Sequence, residues 1–405
     1  MKGNKKMSLN STPSADRVHI AFFGKRNAGK SSVVNAVTGQ DLAIVSDTLG
    51  TTTDPVQKAM ELLPMGPVVI IDTPGIDDEG ELGALRVRKS YQVLNKTDIA
   101  ILIVDASIGM SAEDKALTDR FRAKSVPYII VYNKCDLKAF CPSAENEIAV
   151  SALTGENIHE LKELIARMHS GQKNNKTIVS HMLAREDMVV LVVPVDGSAP
   201  RGRLILPQQQ TIRDIIDNHC MAVVTQPEEL PRTLGALSVK PRMVITDSQA
   251  FARVNRDTPD DIPLTSFSIL FANYKGNLRL AIEGVRAIDR LEDGDTVLIS
   301  EGCTHHRQCG DIGTVKLPRL LERYTGKKLE YKWTSGTEFS DGLDGFSLVI
   351  HCGGCMLNER EMQYRLKCAQ DEGIPITNYG TAIAYMNGIL KRSLAVFPEI
   401  AGLLD

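Results

Sequence analysis

Residues 18–32 read VHIAFFGKRNAGKSS. The first six are an apolar run of strand length, and the rest match the Walker A pattern G-x-x-x-x-G-K-S at the start of a helical pattern. Glycines let successive backbone N–H groups point at phosphate oxygens, and the helix N-terminus favours negative charge. The stretch predicts a phosphate-binding loop in an α/β sheet, in which Lys30 reaches the β- and γ-phosphates and the Ser31 hydroxyl binds magnesium. The predicted nucleotide contacts in this loop are Gly24, Asn27, Ala28, Gly29, Lys30, Ser31 and Ser32.

A second motif, Asp72-Thr73-Pro74-Gly75, ends the apolar stretch VVIIDTPG. The Asp72 carboxylate can hold magnesium through water, and the Gly75 N–H can sense the γ-phosphate. The next residue, Ile76, has no group that could orient the attacking water. The sequence therefore predicts slow intrinsic hydrolysis, which suits a switch better than a metabolic enzyme.

Two further loops point to guanine as the base. Asn133-Lys134-Cys135-Asp136 follows an apolar strand, and the carboxylate of Asp136 can accept both guanine N1–H and N2–H. Adenine lacks that pair of donors, so this loop selects GTP over ATP. The loop Ser151-Ala152-Leu153, also after a strand, is placed to contact the guanine O6.

These motifs resemble those of the TrmE–Era–Der class of small GTPases over residues 17–170. Aligning Gly50-Thr51-Thr52-Thr53-Asp54 with the switch I motif of that class implies that Thr52 completes the magnesium shell, with Thr51 as the alternative. The implied catalytic set is then Lys30, Thr52, Asp72 and Gly75. The resemblance also implies that Asn27 helps to hold a potassium ion, whose charge replaces an arginine finger. The alternative is that Asn27 only shapes the loop.

Composition excludes several classes of protein. The chain has 405 residues, 47 Lys+Arg, 50 Asp+Glu and a formal net charge of -3, which does not favour a nucleic-acid binder. We find no apolar run of about 18 residues, so no membrane span is expected. The polar residues 1–17 lack a secretory signal and are expected to be a flexible tail in a cytoplasmic protein.

Alternating strand and helix patterns continue to the end of the chain and predict three α/β domains, the first with a mostly parallel sheet. The first domain covers residues 18–170, and the polar stretch SGQKNNKT (170–177) is a linker. A second series spans residues 178–264. A third spans residues 265–405 and opens with the apolar stretch FSILFANY (267–274), at the place of a first strand.

Cysteine and histidine cluster in the third domain, in Cys303-Thr304-His305 and in His351-Cys352-Gly353-Gly354-Cys355. Each group follows a predicted strand, and the carboxyl edge of a parallel sheet is where ligands bind. Three cysteines can hold an iron–sulfur cluster with one iron left for an exchangeable ligand. The same residues could form a tetrahedral zinc site or a redox dithiol.

The combination of a GTPase with C-x-H and H-C-x-x-C resembles the FeFe-hydrogenase maturation GTPases, the HydF family, over essentially the whole chain. This resemblance implies a GTPase domain, a central dimerisation domain and a cluster-binding domain. It implies a 4Fe–4S cluster on Cys303, Cys352 and Cys355, with His305 and His351 as candidate fourth ligands. The implied cofactors are GTP or GDP, Mg²⁺, K⁺, the 4Fe–4S cluster and a transient di-iron precursor of the hydrogenase H-cluster.

The implied partners are two radical-SAM maturases that build the precursor, the FeFe-hydrogenase apo-enzyme that receives it, and a second copy of this chain in a homodimer or larger oligomer. Neither nucleic acid nor membrane is expected as a partner. One alternative is a tRNA-modification or ribosome-assembly GTPase with a C-terminal zinc site. A second alternative is a redox-sensing GTPase whose C-x-x-C forms a disulfide without bound metal.

Overall fold

The computed structural model describes residues 14–40, 55–76, 87, 89–170, 176–195, 204–302, 312–336, 339 and 342–404. The chain divides into two compact units, Met1–Asn174 and Asn175–Asp405. The division lies within the predicted linker. Within the described ranges, no helix is both long and apolar enough to cross a membrane.

The first unit is built on a six-stranded sheet with the order β2-β3-β1-β4-β5-β6. Every neighbouring pair is parallel except β2 and β3. This confirms the predicted mostly parallel sheet. The strands are β1 Val18–Gly24, β2 Val56–Leu62, β3 Gly66–Asp72, β4 Ile99–Asp105, β5 Tyr128–Asn133 and β6 Glu147–Val150.

Helices cover both faces of this sheet, so its central strands are apolar along most of their length. One apolar cluster lies on each face, and side chains alternate between them: Phe22 belongs to one and Phe23 to the other. A capping box between Ser111 and Asp114 starts α2 and satisfies its first backbone donors. The helices whose bounds lie within the described residues include α1 Lys30–Thr38, α2 Ala112–Ala123 and α3 Ile158–Ser170.

The second unit contains two four-stranded sheets, and all of their strand pairs are parallel. The strand orders are β10-β9-β7-β8 and β12-β11-β13-β14. One apolar cluster contains residues of both sheets, for example Val189 in the first and Ile350 in the second. The strands are β7 Met188–Val192, β8 Met221–Thr225, β9 Met243–Thr246, β10 Leu264–Ser266, β11 Thr296–Glu301, β12 Glu330–Ser335, β13 Leu348–His351 and β14 Ile376–Asn378.

Side-chain caps begin several helices of this unit, because Ser266, Asn277, Asn358 and Asn378 each accept a hydrogen bond from a first-turn N–H. These caps fix where each helix leaves the sheet. The helices are α4 Leu206–Asp217, α5 Leu230–Ala236, α6 Phe251–Asp257, α7 Phe267–Lys275, α8 Leu278–Val285, α9 Leu317–Thr325, α10 Glu359–Asp371, α11 Tyr379–Met386, α12 Leu390–Ser393 and α13 Pro398–Ala401.

The structure differs from the sequence prediction at the start of the third series. The stretch FSILFANY forms helix α7, not a strand, because Ser266 caps it and an apolar run of eight residues fits a buried helix equally well. Short β10 precedes α7 and pairs with β9, so the predicted domain boundary after residue 264 falls inside that strand.

Candidate functional site

The phosphate-binding loop joins β1 to α1, at the carboxyl edge of the first sheet. Its backbone is left-handed at Asn27 (φ 61°) and at Gly29 (φ 85°). A Cβ atom on Gly29 would lie 2.2 Å from Asn133 Nδ2, so no other residue fits there without displacing the Asn133 side chain. The loop is thus packed directly against the predicted guanine motif.

Asn133 holds three loops together. Its buried amide donates from Nδ2 to Ala28 O at 3.0 Å and accepts at Oδ1 from Ala152 N at 3.1 Å. The first contact lies in the phosphate loop and the second in the predicted O6 loop. One side chain therefore sets the distance between the phosphate end and the base end of the site.

Lys134, the next residue of the predicted guanine motif, also contacts the phosphate loop. Its Nζ donates to Asn27 O at 2.7 Å and to Asp105 Oδ2 at 2.6 Å. Burial raises the pKa of Asp105, but hydrogen bonds from Lys134 and Ser107 outweigh burial and leave that pKa below its usual value. Asp105 therefore stays ionised and keeps Lys134 in place.

The predicted magnesium and phosphate residues meet at the other side of the loop. Lys30 Nζ lies 2.5 Å from Asp72 Oδ1, and Ser31 Oγ lies 3.4 Å from Asp72 Oδ2. Hydroxyl and carboxylate oxygens are the ligands that Mg²⁺ prefers. Beyond Gly75, the side chain of Ile76 is buried in one apolar cluster of the sheet, and its N–H donates to Gly24 O at 3.3 Å.

At the base end, Asp136 is exposed, so its carboxylate is accessible to a ligand. Ser151 is buried, and its hydroxyl accepts from Thr154 N at 3.1 Å, which shapes the turn that carries Ala152. Leu153 is 87% exposed. The predicted switch I residues Thr51 and Thr52 lie outside the described residues.

The second predicted site lies at the carboxyl edge of the third sheet, where β11 and β13 are neighbours. Cys352 and Cys355 follow β13, and neither forms a disulfide. Cys352 Sγ accepts hydrogen bonds from Gly302 N at 3.0 Å and from Gly354 N at 3.4 Å. Gly302 comes directly after β11 and immediately before Cys303 in the sequence. Cys303 and His305 themselves lie outside the described residues.

The two amide hydrogen bonds to Cys352 Sγ suit a sulfur that binds a metal. Burial raises the pKa of the Cys352 thiol, while the two amide donors lower it by a smaller amount. Amide hydrogen bonds to sulfur are typical of thiolates that bind iron or zinc. In the described ranges no group of three or more His, Cys, Asp or Glu side chains could by itself hold a metal ion.

His351 is buried, and both of its ring nitrogens have partners. Nε2 lies 3.0 Å from Arg365 Nη1, and Nδ1 lies 2.6 Å from Cys352 O. Because a guanidinium can only donate, Nε2 is the acceptor and Nδ1 carries the proton. Burial and the neighbouring Arg365 lower the pKa of His351 to about 3, so the ring is neutral. In this arrangement the ring offers no lone pair to a metal, and it fixes the main chain of Cys352 instead.

Arg365 on α10 is fully buried and connects His351, just before the C-x-x-C loop, to neighbouring elements. Its Nε donates to Glu361 Oε1 at 3.0 Å and its Nη1 to Ser300 Oγ at 3.2 Å. Its Nη2 donates to Gly336 O at 2.6 Å. Sequence reasoning missed this residue, and the one local signal was its spacing from Glu361, which places the two charges on the same face of a helix.

Comparison with known protein families divides the chain in the same way as its sheets. Residues 178–276 match the "Hydrogen maturase F dimerization domain", and residues 279–396 match the "Hydrogen maturase F tetramerization domain". Together these matches cover more than half of the chain. The chain belongs to the hydrogen maturase F family. Its residues 19–134 match the family of "50S ribosome-binding GTPase" domains, so this maturase F chain has a P-loop GTPase domain and two oligomerisation domains.

The GTPase domain is also similar to curated proteins of other function. It is 32% identical over 176 residues to the tRNA modification GTPase MnmE of Paraburkholderia xenovorans, covering 41% of this chain and 37% of that protein. It is 38% identical over 149 residues to MnmE of Xanthomonas euvesicatoria pv. vesicatoria, covering 36% of this chain and 32% of that protein. The maturase F chain thus spans well under half of the length of these relatives.

Among solved structures, the chain is similar to a probable GTP-binding protein engB, with 22% identity and a TM-score of 0.32, over 38% of this chain and all of that one. It is also similar to Era in complex with MgGDPNP and ribosomal RNA, with 20% identity and a TM-score of 0.34, over 52% of this chain and 93% of that one.

Proposed function

We propose that this maturase F chain is a GTP-hydrolysing factor that holds a 4Fe–4S cluster and delivers the di-iron precursor of the H-cluster to FeFe-hydrogenase. One observation carries the proposal: the same chain has a guanine-nucleotide site and, in its other unit, a C-x-x-C loop whose first sulfur accepts two amide hydrogen bonds. The nucleotide would act as the switch, and the cluster would hold the cargo.

The proposed roles in the GTPase site follow from its contacts. Lys30 would bind the phosphates, and Ser31 and Asp72 would hold magnesium, Asp72 through water. Asp136 would bind guanine, and Asn133 would hold the guanine-binding loops at a fixed distance from the phosphate loop. Because Ile76 is buried and orients no water, intrinsic hydrolysis would be slow.

Potassium should accelerate that hydrolysis. Asn27 is exposed in the phosphate loop, and its amide oxygen would be a ligand of the cation. We expect a higher kcat in KCl than in NaCl at equal ionic strength, and we expect this difference to vanish in Asn27→Gly. Glycine keeps the left-handed backbone of residue 27 and removes only the side chain. An unchanged ratio of the two rates in Asn27→Gly would mean that Asn27 only shapes the loop.

The proposed cluster ligands are Cys303, Cys352 and Cys355. The cluster would supply one iron with an exchangeable position for the incoming precursor. Since both ring nitrogens of His351 are engaged, we assign it the role of positioning Cys352. His305 then becomes the favoured protein candidate for the fourth ligand.

Metal analysis of protein purified without oxygen tests the cluster. After reconstitution with iron and sulfide we expect about four irons per chain for a 4Fe–4S cluster, with visible absorption and an EPR signal on reduction. The signal should be lost or weakened in Cys352→Ala. The matched control is Cys368→Ala, because Cys368 lies on α10 outside the motif.

Stoichiometric zinc that resists replacement, with no chromophore, would contradict the cluster proposal and favour the RNA-directed alternative. Reversible formation of a Cys352–Cys355 disulfide, with no metal bound, would instead favour the redox-sensing alternative. Transfer of the di-iron precursor is tested separately, by activation of apo-hydrogenase with protein loaded by the two radical-SAM maturases.

A homodimer through the middle domain is part of the proposal. Strand β8 is at the edge of its sheet in the described part of the chain, and Met221 and Val224 on it are each 47% exposed. Nearby Ile216, near the end of α4, is 52% exposed. An edge strand with exposed apolar side chains is suited to pairing with another chain, and this supports dimerisation at β8.

A further inference from the structure

Residues 134–140 form a loop that leaves the first sheet after β5 and carries Asp136 at an exposed position. The beginning of this loop is fixed, because Asn133, the last residue of β5, is buried and bonded to two neighbouring loops. Lys134 has a left-handed backbone (φ 67°), and its carbonyl accepts from Leu137 N at 3.0 Å, which forms a turn around Asp136. The position of Asp136 therefore also depends on what holds the other end of the loop.

Phe140, at the far end of this loop, stacks on Tyr132 of β5. The two ring centroids are 3.7 Å apart, and the ring planes are inclined by 24°. Tyr132 is 5% exposed and belongs to one apolar cluster of the sheet, and Phe140 packs against the same cluster. Because Tyr132 directly precedes Asn133, both ends of the loop are attached to the last two residues of β5.

The ring stack restricts the loop between its two ends. Holding the ends together reduces the number of conformations that the residues between them can adopt. The carboxylate of Asp136 would have to accept two N–H groups of one base at the same time, which requires a defined position and a defined plane. A loop that is already ordered before the base arrives binds it more tightly, because less conformational entropy is lost on binding.

We infer that Phe140 is a positioning residue for guanine recognition. By closing loop 134–140 on Tyr132, it holds Asp136 where N1–H and N2–H of guanine both reach the carboxylate. In this role Phe140 acts through Asp136 and not by contact with the nucleotide. The inference rests on the proposed function, in which Asp136 binds guanine. A stack that only stabilised the domain would leave the discrimination between bases unchanged.

Inosine diphosphate (IDP) is the probe that tests this inference, because its base lacks the N2 amino group and cannot form the second hydrogen bond. Titration of the full chain with fluorescent GDP, followed by competition with unlabelled GDP and IDP, gives the ratio of the two dissociation constants. In the wild type, GDP should bind roughly ten- to hundredfold more tightly than IDP, the effect of one hydrogen bond to a charged group. In Phe140→Ala we expect this preference to decrease to about threefold or less. Phe140→Tyr keeps the ring and should restore it.

The matched control is Tyr128→Ala, because Tyr128 begins the same strand and its ring contacts Phe121, with centroids 5.6 Å apart. This variant also loses an aromatic contact and should keep the wild-type preference for GDP. If Phe140→Ala does not fold, Phe140→Leu replaces it, since leucine keeps the apolar packing without the ring, and the preference should again decrease.

An unchanged ratio of the GDP and IDP dissociation constants in a folded Phe140 variant without the ring would overturn the inference, even if both affinities decreased. Failure of the proposed role of Asp136 has a different signature. In that case the wild type itself would bind GDP and IDP equally well, and the inference would fail together with that role.

Discussion

Replacing Asp136 by Asn should change the nucleotide preference of the GTPase domain from guanine to xanthine nucleotides. The Asp136 carboxylate would accept two hydrogen bonds from guanine, and each bond to a charged group contributes about 1.5–3 kcal/mol. The Asn amide keeps an acceptor for N1–H but sets a donor against the N2 amino group, so one bond is lost, the other loses its charge, and GDP affinity should decrease by roughly a hundred- to ten-thousandfold. Xanthine presents an acceptor where guanine has its N2 amino group, so the Asn amide can pair with it through one donor and one acceptor.

Fluorescence titration with labelled GDP and labelled xanthosine diphosphate measures both affinities. Asp136 is exposed, so its replacement should not affect folding. Asp119→Asn, at an exposed position of α2, is the matched control and should leave both affinities unchanged. Full GDP affinity in Asp136→Asn would mean that the loop after β5 does not bind the base.

The placement of the GTPase motifs at one edge of the first sheet was predictable, because each motif is encoded in a short segment. Each motif is a turn after a buried strand, and a parallel sheet brings all such turns to one edge. The distance between Lys30 and Asp72 then follows from the pairing of β1 with β3. What the motifs did not indicate was the role of Asn133, because its contacts with Ala28 and Ala152 join loops far apart in sequence.

Two edge strands, β2 and β12, were among the least predictable elements of the fold. Neither β2 nor β12 was expected, and both are half exposed with charged residues such as Lys58 and Lys332. Without a continuous apolar run or a regular alternation they give little signal. The apolar run of α7 was predicted to be a strand and is a helix. A short apolar run has no sequence period that distinguishes a buried helix from a buried strand.

The second large effect concerns Arg365, which joins α10 to β11, to β13 and to the residue that follows β12. Replacing Arg365 with Met would leave the Glu361 carboxylate buried without its cation. The hydrogen bonds of Arg365 to Ser300, His351 and Gly336 would also be lost. Removing one partner of a buried ion pair typically costs about 3–5 kcal/mol. For a unit of this size, we expect Tm to decrease by roughly 6–20 °C.

A double-mutant cycle separates the ion pair from general damage to packing. Glu361→Gln in the Arg365→Met background should recover part of the lost stability, because no unpaired charge is then buried. Trp333 is the single tryptophan and lies on β12, so its fluorescence follows unfolding of this sheet alone. Lys367→Met on the same helix should change stability little. A loss below about 1 kcal/mol in Arg365→Met would contradict the assigned role.

Arg365→Met also tests whether its hydrogen bond to His351 keeps that ring from binding the proposed cluster. In the wild type, Arg365 donates to Nε2, so the lone pair that could bind iron is already engaged. Arg365→Met would free that nitrogen while Cys352 and Cys355 remain. We therefore expect pulsed EPR of the reconstituted, reduced protein to show stronger histidine nitrogen coupling in Arg365→Met than in the wild type, with His351→Gln in that background removing the difference. Equal coupling in all three proteins would mean that Arg365 does not control the availability of this ring.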